Sequence, residues 1–495
     1  MDQPKNALNA PQTEDLPESP IRFGTGGWRE RIGETFTRAN VELVAAALAA
    51  KMKAEGHGDE PLIIGFDRRF LSDVAAYWFA CQLAACGIRS EVIKRQAPTP
   101  LVMYTVLRDS RPYGIAVTAS HNPALYNGIK VFIAGGRDAD EETTADLEYH
   151  IRLRVAADDV PPPLSEEEAF ERGFIKNIYP FNDYIDSIIN QIDMEKIRAG
   201  KLHVVLDPMY GVSKTSLQTI LMTARCEVDV IHDRHDTLFG GRLPAPNMKT
   251  LNALSSFVLE NDCDIGIATD GDADRIGVID DTGRFLHPNQ LLVLLYYYLL
   301  KYKGWRGPVV RNNSTTHLLD ELAARFGEKC YEVPVGFKHI SSKMLETDAI
   351  IGGESSGGLT VRGHIAGKDG IYAACLLVEM IAVVGKPLSA IYEEITEQFP
   401  PCHMEETAFR FHPDAKAAIQ KLLMVDRALP EFPWPIREVS YLDGCKVYFE
   451  NNGWINARFS GTEPVLRIFC ELGNQEEAVQ AVQIFRDFLG LSKEA

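Results

Sequence analysis

Cysteine is scarce and scattered, with nine in 495 residues and no C-x-x-C pair. That pattern argues against a disulfide framework or a thiolate zinc site and fits a reducing compartment. Basic residues are outnumbered: 51 Lys and Arg stand against 69 Asp and Glu, a formal charge of −18. Nucleic acid and anionic membrane are therefore not expected as main partners. Long apolar runs are missing too. The longest, Leu291 to Leu300, is too short to span a bilayer and predicts a buried helix. The N-terminus shows no apolar leader core, so a cytoplasmic protein is expected. Two familiar phosphate motifs are also absent. Gly211-Val-Ser-Lys214-Thr215 lacks P-loop spacing, and Gly24-Thr-Gly26-Gly27-Trp28-Arg29 has Arg29 where a dinucleotide fingerprint needs its last glycine.

What is present reads as a globular chain of several domains, 45% hydrophobic and 24% charged. Residues 1–20, rich in Pro, Asn, Gln and acids, predict a mobile tail. Three stretches then alternate β-rich runs with amphipathic helical patterns. The first contains Leu62–Phe66, Tyr113–Val117 and Ile129–Ile133, the second Leu202–Leu206, Cys263–Ala268 and Ile276–Ile279, and the third Pro308–Val310, Tyr331–Val335 and Ala349–Ile351. This predicts three similar α/β domains with mixed, largely parallel sheets, at 21–188, 189–302 and 303–403. Pro161-Pro162-Pro163 predicts an exposed connection inside or after the first. Residues 404–495 predict a smaller α+β domain. It holds a hairpin turning at Asn451-Asn452-Gly453, a strand at Val465–Phe469 and a closing helix at Glu476–Leu489.

Four polar loops stand out: the three in the α/β units follow strand-like runs, where ligands gather in open α/β sheets, and the fourth joins two strands of the last domain. In Thr118-Ala119-Ser120-His121-Asn122-Pro123, a serine at a strand mouth has His121 and Lys130 near it in sequence. Such a serine can carry a phosphoryl group, although Asn-Pro and Asn-Gly are also ordinary turn dipeptides. In Asp270-Gly271-Asp272-Ala273-Asp274-Arg275, three alternating carboxylates suit a hard cation such as Mg²⁺. An EF-hand needs glycine where Arg275 stands, and a plain acidic turn would leave its carboxylates repelling one another. In Gly352-Gly353-Glu354-Ser355-Ser356-Gly357-Gly358, Glu354 and Ser356 can bind vicinal hydroxyls. The same stretch matches the G-x-S-x-G elbow of serine hydrolases at Ser355, but the following Leu359–Gly363 looks extended rather than helical. Lys338, beside His339, and Lys368 are cations able to bind anionic oxygen, or solvated surface lysines. In Arg458-Phe459-Ser460-Gly461-Thr462-Glu463-Pro464, a guanidinium, hydroxyls and a flexible glycine make an anion nest with Arg467 nearby, or an exposed hairpin.

In order and spacing, these four loops resemble the α-D-phosphohexomutase superfamily from about residue 21 onward. The resemblance implies a four-domain, heart-shaped enzyme with its site in a central cleft. It implies that Ser120 is the phosphorylated serine and that Asp270, Asp272 and Asp274, completed by phosphoserine 120, hold Mg²⁺. Glu354 and Ser356 become the sugar contacts, and Arg458, Ser460, Gly461 and Thr462 the phosphate loop. Arg29, Lys130 and Lys368 match the family's cleft cations, with Lys130 a candidate general acid/base. His121 and Arg275 join the catalytic candidates, and Lys338, His339 and Arg467 the substrate-binding ones. Dual-specificity members tend to have G-E-M-S-G-H in the sugar loop, and phosphoglucosamine mutases G-E-Q-S-G-H. Here Ser355 and Gly358 depart from both, and Gly357-Gly358 followed by G-H-I-x-x-K-D-G looks closer to phosphoglucomutases. The implied reaction interconverts glucose 1-phosphate and glucose 6-phosphate through glucose 1,6-bisphosphate, with sugar phosphates as partners and a monomer or homodimer as the assembly. Mannose or glucosamine phosphates are the alternative substrates. A hydrolase using Ser355 and a non-catalytic sugar-phosphate sensor are rivals of other classes.

Overall fold

A computed structural model of the chain describes residues 16–411, 414–459 and 465–491. It divides into two compact units after Pro180. The first unit is built on one mixed sheet. Its strands are β1 (Trp28–Arg31), β2 (Leu62–Phe66), β3 (Ser90–Ile93), β4 (Tyr113–Val117), β5 (Tyr126–Ile133), β6 (Arg137–Asp138) and β7 (Ile175–Ile178). Their order is β1-β5-β4-β2-β3-β7, with β6 on β5. β2 and β4 are buried along their whole length, as expected for apolar strands covered on both faces. The helix Arg38–Ala54 buries Val41, Val44, Leu48 and Met52 at helical spacing.

The second unit carries three sheets. β8 (His203–Asp207), β9 (Glu227–Val230), β10 (Ile265–Thr269), β11 (Ile276–Ile279) and β12 (Phe285–Leu286) are ordered β12-β11-β10-β8-β9. β13 (Val309–Asn312), β14 (Cys330–Val333), β15 (Ile351–Gly353) and β16 (Leu359–Val361) are ordered β14-β13-β15-β16. The last sheet is antiparallel throughout. It comprises β17 (His403–Arg410), β18 (Ile436–Ser440), β19 (Cys445–Phe449), β20 (Trp454–Phe459) and β21 (Val465–Leu472), in the order β17-β21-β20-β19-β18.

One topology occurs three times. β2-β3-β4-β5, β8-β9-β10-β11 and β13-β14-β15-β16 each place the third strand parallel to the first and the fourth antiparallel to the third. The connection from third to fourth strand therefore leaves the carboxyl end of a central parallel strand and turns straight back. In the three repeats it contains Ser120, the Asp270–Asp274 run and Glu354–Gly358.

Several expected boundaries differ. Position 188/189 falls at the end of the helix Phe181–Ile189, which belongs to the second unit because Tyr184 is buried there, its hydroxyl donating to Asp369 at 2.7 Å. Position 403/404 falls inside β17. Pro161 to Pro163 lie within the first unit, between the helices Glu141–Ala157 and Glu166–Glu171. Only part of the expected 1–20 tail is described, and there Ser19 is buried, its hydroxyl accepting from the Ile21 amide at 3.2 Å.

Leu291 to Leu300 lie, as expected, in a buried helix, Pro288–Lys301. His287 caps it: Nδ1 accepts from the Asn289 amide at 3.2 Å, while the His287 amide donates to Gln290 Oε1 at 2.7 Å. Burial pushes this imidazole down from 6.5 to about 4. Between those values the unfolded chain holds a proton that the folded chain refuses. Stability should thus fall as pH drops through this window, by about 3 kcal/mol at most. His287→Asn keeps a capping acceptor without titrating. Urea unfolding of both proteins from pH 7 to 4.5 should show a shallower acid loss in the variant.

Candidate active site

In the first unit, Ser120 sits just beyond the carboxyl end of β4, fully buried and with a left-handed backbone (φ 51°). Its amide donates to Thr118 Oγ1 at 2.8 Å, and its hydroxyl lies 3.4 Å from His121 Nδ1. Lys130 is buried on β5, opposite Ala116 of β4. Arg29, on β1, donates to Gly26 O at 3.0 Å and to Asn122 Oδ1 at 2.8 Å, so it touches the serine loop. Gly128 allows this packing, because a Cβ there would lie 2.1 Å from the Trp28 carbonyl oxygen.

In the second unit, Asp270, Asp272 and Asp274 are all buried, with carboxylate oxygens within 4.8 Å of one another. Three hard oxygen anions converging on one point fit a divalent cation such as Mg²⁺. The loop is folded on itself: Asp270 Oδ1 accepts from the Arg275 amide at 3.1 Å, and the Asp270 carbonyl from the Ala273 amide at 3.1 Å. Arg275 Nε lies 3.9 Å from Asp274 Oδ1, and Lys368 Nζ lies 3.1 Å from Asp274 Oδ2. The loop joins antiparallel strands, with no helix on either side, which excludes an EF-hand.

The Glu354–Gly358 turn meets this acidic loop directly. The Ile276 amide donates to Gly357 O at 3.1 Å, and Arg275 bridges Gly358. Ser356 Oγ donates to Glu354 Oε2 at 3.2 Å, and the Gly336 amide donates to Glu354 Oε1 at 3.1 Å. Lys338 and His339 are half-buried in the first turn of the helix Phe337–Thr347. The turn leads from β15 into β16, so Ser355 does not stand on the strand-to-helix elbow a serine hydrolase needs.

In the last sheet, Arg458 of β20 lies opposite Arg467 of β21. Like charges directly opposite on a sheet repel, and each arginine has a carboxylate beside it. Arg458 Nε donates to Asp443 Oδ2 at 2.7 Å, and exposed Arg467 lies 3.7 Å from Glu406. Ser460, Gly461 and Thr462 lie outside the described residues.

Comparison with known proteins matches all four regions in order. Residues 20–154, 182–283 and 287–399 match the phosphoglucomutase/phosphomannomutase alpha/beta/alpha domains I, II and III, and residues 413–487 match the C-terminal domain. A probable phosphoglucosamine mutase of Pyrococcus furiosus is 32% identical, over 96% of this chain and 98% of its own. The chain belongs to the phosphoglucomutase/phosphomannomutase family. It is thus a phosphohexomutase, an intramolecular phosphotransferase. A phosphoglucomutase/phosphomannomutase of Thermococcus kodakarensis is 29% identical over 93% of this chain and 97% of its own. A solved structure from Thermus thermophilus, provisionally designated a phosphomannomutase, superposes with a TM-score of 0.83 at 29% identity, covering 95% and 99% of the two chains.

Sequence reasoning missed how this phosphohexomutase holds its serine loop. Arg69 is buried, and its guanidinium donates to four carbonyls of that loop: Ser120 at 2.5 Å, Asn122 at 2.8 Å, Pro123 at 2.9 Å and Tyr126 at 3.1 Å. Asp67 anchors it, with Oδ2 3.3 Å from Arg69 Nε and accepting from Thr118 Oγ1 at 2.6 Å. Burial pushes the Asp67 carboxyl up, and the Arg69 guanidinium opposes that shift. The available signal was position: Asp67-Arg68-Arg69 leaves the carboxyl end of β2, the strand beside β4. A lysine cannot reproduce the planar fork. Arg69→Lys should lower kcat by roughly 10²-fold through misplacement of the serine, while Mg²⁺ affinity stays unchanged. Steady-state kinetics with a metal titration check this.

Proposed function

We propose that the chain interconverts α-D-glucose 1-phosphate and glucose 6-phosphate, with Ser120 as phosphoryl carrier. In the first half-reaction the bond from phosphorus to Ser120 Oγ breaks and a bond to the free sugar hydroxyl forms. The hydroxyl proton passes to a base, for which Lys130 and His121 are the candidates, and Ser120 Oγ takes up a proton as it leaves. The product is glucose 1,6-bisphosphate. After it turns over, its other phosphoryl group returns to Ser120: the bond from phosphorus to the sugar oxygen breaks, the Ser120 hydroxyl gives up its proton, and the freed sugar oxygen takes one up. Arg458, with Ser460, Gly461, Thr462 and Arg467, holds whichever phosphate is not reacting. Glu354 and Ser356 orient the ring hydroxyls, and Arg29, Lys338, His339 and Lys368 supply positive charge. Asp270, Asp272 and Asp274 are the proposed Mg²⁺ ligands. When bound, the ion offsets charge on the transferring phosphoryl group.

The glucose preference is supported by the sugar loop, where Gly358 stands in place of the histidine of the G-E-M-S-G-H and G-E-Q-S-G-H loops. A Cβ there would lie 2.3 Å from Lys368 Cδ, so the missing side chain is what lets Lys368 lie across the turn and reach Asp274. A histidine at this position, as in the G-E-M-S-G-H and G-E-Q-S-G-H loops, would displace that lysine. The Pyrococcus furiosus relative favours a second reading, glucosamine phosphate as substrate. Initial rates with glucose, mannose and glucosamine 1-phosphates decide between them. The glucose reading expects the highest kcat/KM for glucose 1-phosphate, and a higher value for either other sugar would overturn it.

A further inference from the structure

Two consecutive backbone amides receive carboxylates from two different loops. The Gly336 amide donates to Glu354 Oε1 at 3.1 Å, and the Val335 amide donates to Asp443 Oδ2 at 2.9 Å. The same Asp443 oxygen accepts from Arg458 Nε at 2.7 Å. The Asp443 carbonyl accepts from Nδ2 of Asn313 at 2.8 Å, and Asn313 is buried at the end of β13. Gly444 makes this approach feasible. Its φ is 90°, and a Cβ there would lie 2.5 Å from the Ala457 carbonyl oxygen. The corner before β19 is thereby pressed against β20, which puts Asp443 beside Arg458.

We infer that Asp443 is a positioning residue that fixes Arg458 in register with Glu354. The inference rests on the reading of Arg458 as a phosphate anchor and Glu354 as a sugar contact. An arginine side chain is long and loses much rotamer freedom when fixed. Arg458 also faces the like charge of Arg467 across the strand pair. A carboxylate on Nε, one of the five N–H donors of a guanidinium, opposes that repulsion and sets the plane of the fork. Because the carboxylate is itself held by the Val335 amide, next to the amide that holds Glu354, the span from ring contact to phosphate anchor is set by one short relay. That span is what a phosphohexomutase has to match to a hexose carrying a phosphate at one end.

The test compares the full-length protein with Asp443→Ala, Asp443→Asn, Arg458→Ala and the Asp443→Ala/Arg458→Ala double variant. KM and kcat are measured with glucose 1-phosphate and with glucosamine 1-phosphate. Asp443→Ala should raise KM roughly tenfold, as expected for losing a charge-assisted hydrogen bond, with a smaller change in kcat. The double variant should be no worse than Arg458→Ala alone, because Asp443 acts through Arg458. Asp443→Asn keeps an acceptor for the Val335 amide and loses the charge. It should also raise KM, and it carries the test if the alanine variant does not fold. Multiplying losses in the double variant, or a normal KM in both Asp443 variants beside a raised KM in Arg458→Ala, would overturn the inference. Normal kinetics in Arg458→Ala would instead overturn the phosphate-anchor reading, and the inference with it.

Discussion

Ser120→Ala is expected to lower mutase turnover by at least about a thousandfold, the scale seen when a residue that carries the reacting group is removed. The loss should come without unfolding. Ser120 is buried at the end of a strand that is itself fully buried, and the Arg69 guanidinium holds the loop through main-chain carbonyls rather than through the serine hydroxyl. Removing one oxygen leaves all of those contacts in place. The variant should therefore melt close to the parent, and intact-mass measurement of active protein should find one phosphoryl group on the parent and none on the variant. Near-normal turnover in Ser120→Ala would remove Ser120 from the carrier role.

Asp272→Asn is expected to have the next largest effect, because it takes one of three converging anions out of a buried site. Replacing one carboxylate oxygen by an NH₂ group removes a full charge and presents donors to a cation. The variant should bind Mg²⁺ at least about tenfold more weakly, with turnover down by roughly 10²-fold, since stabilising the transferring phosphoryl charge is the main electrostatic contribution in this chemistry. Calorimetric titration with Mg²⁺ measures the first effect and steady-state kinetics at saturating Mg²⁺ the second. Chelation of the parent protein should abolish its activity reversibly. Unchanged turnover after chelation would mean that the three aspartates do not serve as a metal site.

The loops of the three α/β repeats were legible in the sequence because each is a polar run set between apolar strands at the carboxyl end of a strand. The Asp270–Asp274 alternation and the Glu354–Gly358 glycines could be read without knowing what packs around them. The threefold topology was only half legible. Alternation announced the α/β units, but nothing in Tyr126–Ile133 or Ile276–Ile279 says that these strands run antiparallel to their neighbours. That orientation follows from the short return each functional loop makes. Arg69 and Asp443 were not legible at all. Arg69 works on carbonyls more than fifty residues away, and carbonyls leave no trace in side-chain identity. Asp443 joins an amide at Val335 to Arg458, a link that exists only once the last sheet has folded against the third one. Gly358 was read as a departure from other sugar loops, but its reason, the passage of Lys368, required three dimensions.

A label chase tests the carrier role of Ser120 most directly. Protein carrying ³²P on Ser120 is mixed with unlabelled glucose 1-phosphate and Mg²⁺, and the products are separated over the first few turnovers. Label should leave the protein into glucose 1,6-bisphosphate and then appear in glucose 6-phosphate. Glucose 6-phosphate formed while the label stays on the protein, or label released as inorganic phosphate alone, would contradict that role.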